Sequence, residues 1–334
     1  MSRQAPIVHI GLPKTGTTSL QKHLLPKICE EKDFLYNPAE FRKIKKQRFT
    51  YSADDKARLH EVLNTRSVLV SQEGLVDWNP RNCESAADKV LDLFGPEARI
   101  IITYRDPIDY LTSLYVQKVH EGNVIAAEDF FVSSEDYENL DEFLPEKSML
   151  RYDHDRLDYQ FLEKTYKDRF SNVFPVPLSR MKTLYPFTQL IDLSDRQVEA
   201  LRTLLSTAPR ENRSYSQAAL NLTFIRERGL NRLGLKSLGS EDYPETNAFL
   251  ESTTGVPKDP NARKKTRRDP RSGRSNKGLL KPWRWWMQNV FDRIYPYKKY
   301  KLPQSVLERL DTDVMRRNAA YVAELEKSLD EKLS

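Results

Sequence analysis

Cysteine is scarce in this sequence: Cys29 and Cys83 are the only two among 334 residues. Two cysteines provide neither a disulfide framework nor a cysteine-rich zinc site. Histidine, aspartate and glutamate also show no spacing typical of a metal site, so no metal is expected. The chain suits a reducing compartment, and we expect a cytoplasmic protein.

Long apolar runs are missing as well. None approaches the roughly 20 residues that span a bilayer, and the first residues lack the pattern of a secretory signal peptide. A hydrophobic content of 39% is nevertheless adequate for a soluble globular core. A chain of this length can form one large α/β core with additions, or two modest domains.

Short apolar stretches alternate with helical patterns in the first two hundred residues. Strands are predicted at about 6–12, 67–71, 99–104 and 172–177. The helices expected between them lie at about 20–30, 53–65, 84–94, 107–121 and 155–170. This alternation predicts an α/β fold, in which a P-loop-like parallel sheet is flanked by helices.

The later part of the chain has a different pattern. Helices are predicted there at about 194–207, 216–230 and 303–330. The stretch 236–281 is rich in glycine, proline, serine and charge, which favours a long loop or a partly disordered insert. We therefore expect a core over residues 1–205 and a mainly helical extension over 206–334, packed on the core as one domain.

The segment after the first predicted strand is the most informative. It reads Gly11-Leu12-Pro13-Lys14-Thr15-Gly16-Thr17-Thr18-Ser19 and leads into an amphipathic helix. Glycines let the backbone approach a phosphate closely, and a helix start offers N–H groups and a positive dipole end. A nucleoside-triphosphate loop needs Gly-Lys-Ser/Thr, but Thr17 follows Gly16 and the lysine comes earlier, at Lys14. The displaced lysine argues against kinases and GTPases.

A second motif lies downstream. It runs Arg99-Ile100-Ile101-Ile102-Thr103-Tyr104-Arg105-Asp106-Pro107 and continues to Ser113-Leu114-Tyr115. The two motifs together resemble sulfotransferases that use 3′-phosphoadenosine 5′-phosphosulfate (PAPS). The first is similar to that family's 5′-phosphosulfate loop and the second to its 3′-phosphate motif, in the same order.

The resemblance is to the bacterial carbohydrate-type group, and it is clear over about residues 6–180. It implies PAPS as the sulfuryl donor, adenosine 3′,5′-bisphosphate (PAP) as a product, and no metal. It also implies that Lys14 stabilises the leaving phosphate. The cofactor-binding residues implied are Thr15, Gly16, Thr17 and Thr18 at the 5′-phosphate, Lys14 at the bridging oxygen, and Arg105 and Ser113 at the 3′-phosphate.

Both motifs also have a purely structural interpretation. The first would then be a turn with an exposed lysine. In the second, Arg105 would end a strand and pair with Asp106 or Asp109. The strand before the loop and the helix after it favour the functional interpretation of the first motif, and the first motif in turn supports the second.

A base for the acceptor hydroxyl is expected near a strand end. Glu73 follows the second predicted strand, where open α/β sheets bind ligands, and resembling enzymes that sulfate sugars often carry a glutamate there. The alternative is a loop carboxylate that caps a helix or pairs with Lys14. His120 is the second candidate, although a histidine at a helix C-terminus suits the dipole without any catalytic role. We expect His9, on the first strand, to be structural.

Basic residues concentrate late in the chain. Residues 255–301 hold fifteen lysines and arginines against three aspartates, a balance of +12 in a chain whose total is +6, so the remainder carries about −6. Animal cytosolic sulfotransferases close their cofactor site with a late Arg-Lys-Gly loop, and the run 263–268 is a loose analogue. Arg213 is a further candidate for the cofactor pocket, because bacterial relatives often show a similar Asn-Arg-Ser stretch.

A tryptophan-rich segment follows the basic run. One helical face there is formed by Trp283, Trp286, Met287, Val290, Phe291 and Ile294. A basic lead-in before such a helix is typical of an interfacial membrane anchor, and the same face also suits docking on the protein core. Basic residues with aromatics suit RNA too, but no recognised nucleic-acid-binding module is present.

The sequence therefore favours a sulfotransferase that transfers the sulfuryl group from PAPS to a hydroxyl of a carbohydrate or glycolipid. A lipid-linked sugar at the inner membrane is the expected acceptor if segment 283–294 meets a membrane. Two other functions stay open. One is an ATP-dependent P-loop kinase, which the missing Gly-Lys weakens. The other is a non-catalytic module that binds membrane or nucleic acid through residues 255–301.

Overall fold

The computed structural model describes residues 3–15, 20–47, 49–121, 123–140, 151–207, 215–232, 283 and 285–333. The candidate residues outside these ranges are Gly16, Thr17, Thr18 and Arg213, together with the insert expected at 236–281.

The chain divides into two compact units. The first consists of Met1–Tyr110, Arg156–Asn212 and Thr312–Ser334, and the second of Leu111–Asp155 and Arg213–Asp311. These units interleave along the chain. The domain boundary expected near residue 205 stays a prediction.

The strands comprise one large and one small set. In chain order they are β1 (Ile7–Gly11), β2 (Leu35–Tyr36), β3 (Val68–Ser71), β4 (Arg99–Tyr104), β5 (Phe131–Val132), β6 (Tyr152–Asp153) and β7 (Asn172–Pro177). Five of them form a parallel sheet in the first unit, in the order β2-β3-β1-β4-β7. In the second unit, β5 and β6 form a short parallel pair. The predicted α/β class, a parallel sheet flanked by helices, is confirmed.

The helices follow the predicted alternation closely. They are α1 (Leu25–Glu31), α2 (Ala39–Lys46), α3 (Ala53–Thr65), α4 (Cys83–Phe94), α5 (Pro107–His120), α6 (Ala127–Phe130), α7 (Ser134–Glu138), α8 (Tyr159–Lys167), α9 (Phe187–Leu190), α10 (Asp195–Thr207), α11 (Gln217–Arg232), α12 (Asp292–Ile294), α13 (Gln304–Leu310) and α14 (Asp313–Leu333). Short π-helical turns occupy Leu20–Leu24 and Met287–Phe291.

The central strands are buried on both faces, as expected for a parallel sheet covered by helices. All five residues of β1 are buried, and so is every residue of β4 after Arg99. On one side, Ile7, Leu69 and Ile101 belong to a core that also includes Leu24 and Leu201. Continuous apolar strands therefore place the sheet in the interior and leave its ends for function.

Local signals account for several boundaries. The Ser52 hydroxyl accepts a hydrogen bond from the Asp55 amide at 3.1 Å, and the Asp55 carboxylate accepts one from the Ser52 amide at 3.3 Å. This capping box begins α3 where the sequence predicts it. The basic segment before it is also helical, since α2 buries Phe41 and Ile44 on one face.

The predicted helix over 303–330 is wrong in one respect: it is two helices, α13 and α14. The break falls at Asp311 and Thr312. In the sequence, the second unit ends at Asp311 and the last segment of the first unit begins at Thr312. The Thr312 hydroxyl accepts a hydrogen bond from the Met315 amide at 3.3 Å, which caps a new helix. The apolar periodicity continues through the break, and for that reason the sequence pattern does not show it.

Candidate active site

The site lies at the carboxyl ends of β1 and β4, which are neighbouring strands whose register pairs Gly11 with Thr103. In the strand order, β3 and β2 lie beyond β1 in one direction, and β7 lies beyond β4 in the other. The direction of the strand order therefore reverses between β1 and β4. Open α/β sheets bind ligands at such a switch point. Lys14 follows β1 and Arg105 follows β4, so the two motifs meet where a ligand is expected.

The described part of the loop begins with a tight turn. The Leu12 carbonyl accepts hydrogen bonds from the Thr15 amide at 3.3 Å and from the Thr15 hydroxyl at 2.6 Å. Pro13 occupies the second position of this turn, and Lys14, with a φ of 68°, the third. Proline followed by a positive φ is the signature of a type II turn, which normally takes glycine at the third position. Lys14 therefore holds a backbone conformation that favours glycine.

Arg105 connects the second motif to this turn. Its Nη1 donates a hydrogen bond to the Lys14 carbonyl at 3.0 Å, and its Nη2 lies 3.8 Å from the Asp109 carboxylate. The second distance is too long for a hydrogen bond, so the ion pair with Asp109 is the weaker contact. The Arg105 side chain is 20% exposed. One guanidinium thus orients the loop backbone and keeps a solvent-accessible side.

Tyr159 fixes the backbone of Arg105 through a hydrogen bond. This buried tyrosine donates its hydroxyl to the Arg105 carbonyl at 2.9 Å, and its ring contacts that of Tyr104 at a centroid distance of 5.1 Å. The Tyr159 amide in turn donates to the Asn318 side chain at 2.9 Å. Tyr321 contacts the Tyr104 ring at 5.4 Å. Helix α14 therefore supports Arg105 from a position more than two hundred residues along the chain.

Three buried polar side chains, one on each of the neighbouring strands β3, β1 and β4, form a row in which each contacts the next. His9 on β1 contacts the Ser71 hydroxyl on β3 through Nδ1 and the Thr103 hydroxyl on β4 through Nε2, each at 2.8 Å. Complete burial lowers the pKa of His9 to about 4, so the ring is neutral near pH 7. The ring joins the ends of three neighbouring strands. This agrees with the structural role expected for His9.

Glu73 lies at the same edge of the sheet. The amide of Gln72 donates to the His9 carbonyl at 3.1 Å, and Glu73 then begins a 3₁₀ turn over Glu73–Leu75. Asn37 fixes the end of β3, because its side-chain oxygen accepts from the Ser71 amide at 3.0 Å. Glu73 is half-buried. The sequence places a carboxylate after this strand, and the structure puts it beside the end of β1.

The remaining candidates that the structure describes are Thr15, Ser113 and His120. Thr15 is fully buried, and both its amide and its hydroxyl bond to the Leu12 carbonyl, which gives it a role in shaping the turn. Ser113 and His120 lie on α5 in the second unit. The ring centroids of His120 and Tyr215 lie 4.5 Å apart in a T-shaped arrangement.

Sequence reasoning did not identify Tyr159, Asn37 or the partners of His9. A tyrosine on an amphipathic helix and hydroxyls inside strands are common core residues, so no local signal distinguishes them. In the described ranges, no group of three or more His, Cys, Asp or Glu side chains is arranged to hold a metal ion. None of the helices described is both long and apolar enough to cross a membrane.

No family model matches the chain, and no curated protein does. Among solved structures, the chain is similar to a sulfotransferase from Alicyclobacillus acidocaldarius, with a TM-score of 0.35 and 16% sequence identity. The likeness covers 70% of this chain and 98% of the other. A likeness this distant carries no argument about activity. Any activity must therefore be inferred from the two motifs and from the strand-end positions of Lys14, Arg105 and Glu73.

Proposed function

We propose that this protein is a PAPS-dependent sulfotransferase that acts on a hydroxyl group of a carbohydrate or glycolipid. The observation that carries the proposal is the hydrogen bond from Arg105 to the Lys14 carbonyl. It joins the two motifs of the resemblance at the switch point of the sheet. Lys14 and Arg105 place two positive charges at the ends of neighbouring strands, and positive charges attract the phosphates of a bound nucleotide.

The donor set fits such a ligand. Arginine offers a planar, permanently charged fork that matches phosphate oxygens, and lysine offers a compact charge. Neither side chain is fully buried. PAPS would supply the sulfuryl group, with PAP as the leaving group.

Five residues of the chain have a defined task in this proposal. Glu73 accepts the proton of the acceptor hydroxyl as that oxygen attacks sulfur in line. Lys14 stabilises the negative charge that develops on the leaving phosphate, a contribution that is usually the largest in such sites. Arg105 holds the phosphate and the loop backbone together, while Thr15 keeps the turn closed. Ser113 is proposed as a further 3′-phosphate ligand.

The first experiment is a calorimetric titration of the purified chain with PAP and, separately, with ATP. We expect PAP to bind and ATP to bind far more weakly. Lys14→Ala and Arg105→Ala should each lower PAP affinity by about tenfold or more. Lys164→Ala and Arg66→Ala are matched controls, because both side chains form exposed surface ion pairs in the same unit.

Three outcomes of this titration decide the function. Preferential ATP binding would exclude the sulfotransferase proposal and favour the kinase. Failure to bind either nucleotide would favour the non-catalytic module. PAP binding that both Lys14→Ala and Arg105→Ala leave unchanged would show that the nucleotide binds elsewhere.

The role of Glu73 needs a separate test. Sulfuryl transfer from radiolabelled PAPS to a panel of octyl glycosides would be compared for the wild-type chain, Glu73→Gln and the exposed control Glu61→Gln. We expect Glu73→Gln to lose about 10²- to 10⁴-fold in rate while PAP affinity is kept, because general-base catalysis contributes that much. Equal rates for Glu73→Gln and wild type would exclude Glu73 as the base.

A further inference from the structure

Exposed apolar side chains are concentrated in one part of the second unit. Within the described ranges six large hydrophobic residues are exposed, and five of them lie on α11 or between residues 285 and 295. Trp285 is 61% exposed, Trp286 45% and Ile294 80%. Clustered exposure of this kind marks an interaction surface, whereas scattered exposure would need no explanation.

The aromatic rings of this segment form a continuous row. Ring centroids of Trp283 and Trp286 lie 6.2 Å apart, those of Trp286 and Phe291 6.1 Å, and those of Phe291 and Tyr295 5.3 Å. The π-helical turn Met287–Phe291 accounts for the middle pair, because it brings Trp286 and Phe291, which are five positions apart, into line. We call Trp283, Trp285, Trp286, Phe291, Ile294 and Tyr295 the aromatic patch.

The segment that carries the aromatic patch is bonded at both of its ends to α11 or to the residue just before it. At one end, Trp283 Nε1 donates to the Thr223 hydroxyl at 3.2 Å, and the Arg226 guanidinium lies 5.1 Å from the Trp283 ring centre. Met287, which directly follows the exposed Trp285 and Trp286, is completely buried. The face predicted from the sequence is therefore divided: Met287 packs inward, while Trp286 and Ile294 face solvent.

At the other end, the segment is tied to the start of α11. The Ser216 amide donates to the Asp292 carboxylate at 3.2 Å, and the Gln217 amide donates to the Lys298 carbonyl at 2.9 Å. These contacts fix the chain on both sides of Ile294 and Tyr295. The exposed rings are thus presented from a supported backbone.

The exposed charges of α11 and of the described part of 283–301 are all positive. In α11 and in the described part of 283–301, the exposed charged residues are Arg228, Arg232, Arg293, Lys298, Lys299 and Lys301. The two carboxylates of these stretches, Glu227 and Asp292, are each only 3% exposed. The surface beside the patch therefore attracts an anionic partner.

We propose that the aromatic patch is a membrane-docking surface, which inserts its exposed side chains into the interface of an anionic lipid bilayer while the flanking basic residues bind lipid phosphates. Tryptophan and tyrosine favour the headgroup region, and a basic border strengthens attachment to anionic lipid. This inference does not depend on sulfuryl transfer.

Two other occupants fit less well. A second copy would set one basic surface against another, and juxtaposed like charges oppose association. Single-stranded RNA needs open ring faces on which bases stack, whereas the rings of Trp286 and Phe291 already lie against each other and against their neighbours. The aliphatic side chain of Ile294, the most exposed of the patch, suits lipid rather than bases.

The test is flotation of the purified full chain with vesicles of phosphatidylcholine alone or mixed with phosphatidylglycerol. No nucleotide or sugar is present, so the result is independent of the proposed enzymatic activity. We expect the wild-type chain to float with the mixed vesicles. The triple variant Trp285→Gln, Trp286→Gln and Ile294→Gln should lose about tenfold or more of the bound fraction.

The matched control is Phe161→Gln, since Phe161 is 47% exposed in the first unit. It should float like the wild type, and circular dichroism melts should show that every variant is folded. The pair Arg293→Gln and Lys298→Gln should weaken binding to the mixed vesicles and reduce its sensitivity to salt.

Several results would overturn the proposal. The wild-type chain could fail to float, or the triple variant could float equally well, which would assign any binding to basic residues elsewhere. Loss of a dimer in the triple variant, or loss of poly(U) binding, without any vesicle binding by the wild type would instead identify a second copy or RNA as the occupant.

Discussion

The Nη1 atom of Arg105 lies 3.0 Å from the carbonyl oxygen of Lys14 and donates a hydrogen bond to it. The residue that follows β4 thus supports the residue that follows β1. Because Lys14 adopts a φ of 68°, the carbonyl that Arg105 holds belongs to a backbone conformation that is costly for lysine. A change at either of the two proposed phosphate-binding residues should therefore affect the other.

Arg105→Lys should weaken PAP binding about 10- to 100-fold, because lysine keeps the charge and loses the fork that bonds the turn and the ligand together. Titration calorimetry measures this change. Arg66→Lys, at an exposed ion pair with Asp33, should leave PAP affinity unchanged. An unaltered affinity for Arg105→Lys would show that the charge alone is enough.

The variants Lys14→Gly and Lys14→Ala distinguish the effect of the Lys14 ammonium group on activity from the effect of its backbone conformation on stability. Both remove the amine, so both should lower sulfuryl transfer by about 10²- to 10³-fold. Glycine accepts a positive φ without strain, so the free energy of unfolding should be about 1 kcal/mol higher for Lys14→Gly than for Lys14→Ala. Urea unfolding measures the second effect. If Lys14→Gly were fully active, the lysine would matter only through its backbone.

Tyr159→Phe tests whether Arg105 is positioned from below. The variant leaves the Arg105 carbonyl without its 2.9 Å partner, which should cost about 1–3 kcal/mol of stability and several-fold in PAP affinity. Tyr166→Phe is the control: Tyr166 is equally buried in the same unit, and its hydroxyl makes a longer hydrogen bond of 3.5 Å to Leu75. Equal losses of PAP affinity in the two variants would argue for general destabilisation rather than positioning.

His9 should make stability fall in mildly acidic solution. Burial lowers its pKa in the folded chain from 6.5 to about 4, so between these values the unfolded chain binds a proton that the folded chain does not. Stability from this residue is therefore complete above about pH 6.5 and is lost as the pH falls towards 4, by about 3 kcal/mol in all. Urea unfolding of wild type and His9→Gln at several pH values measures the difference. Parallel curves for the two proteins would contradict this prediction.

Both cysteines should resist thiol reagents in the folded protein. Burial raises the pKa of Cys29 to about 12 and also raises the pKa of Cys83, so neither forms the reactive thiolate near pH 8. Labelling with a chromogenic disulfide should be negligible in native buffer and should reach two thiols per chain in guanidinium chloride. Rapid labelling of the native chain would show that one of these sites opens.

Much of the architecture could be predicted because its signals are local. Continuous apolar runs at β1, β3 and β4 identify buried parallel strands. The capping box at Ser52 and Asp55 begins α3, and Gly95 ends α4 at a φ of 76°. The edge strand β2 could not be predicted, because two residues are too few to form a recognisable strand pattern. The break between α13 and α14 could not be predicted either, because the apolar pattern continues through it.

The candidate site was predictable only as residue types at strand ends. Chain order and apolar periodicity were enough to place Lys14, Glu73 and Arg105 after predicted strands. The hydrogen bonds from Arg105 to the Lys14 carbonyl and from Tyr159 to the Arg105 carbonyl, and the contacts of His9 with β3 and β4, become visible only in the folded chain. These contacts join residues 54 to 94 positions apart, and such pairs meet only when the sheet order brings their strands together.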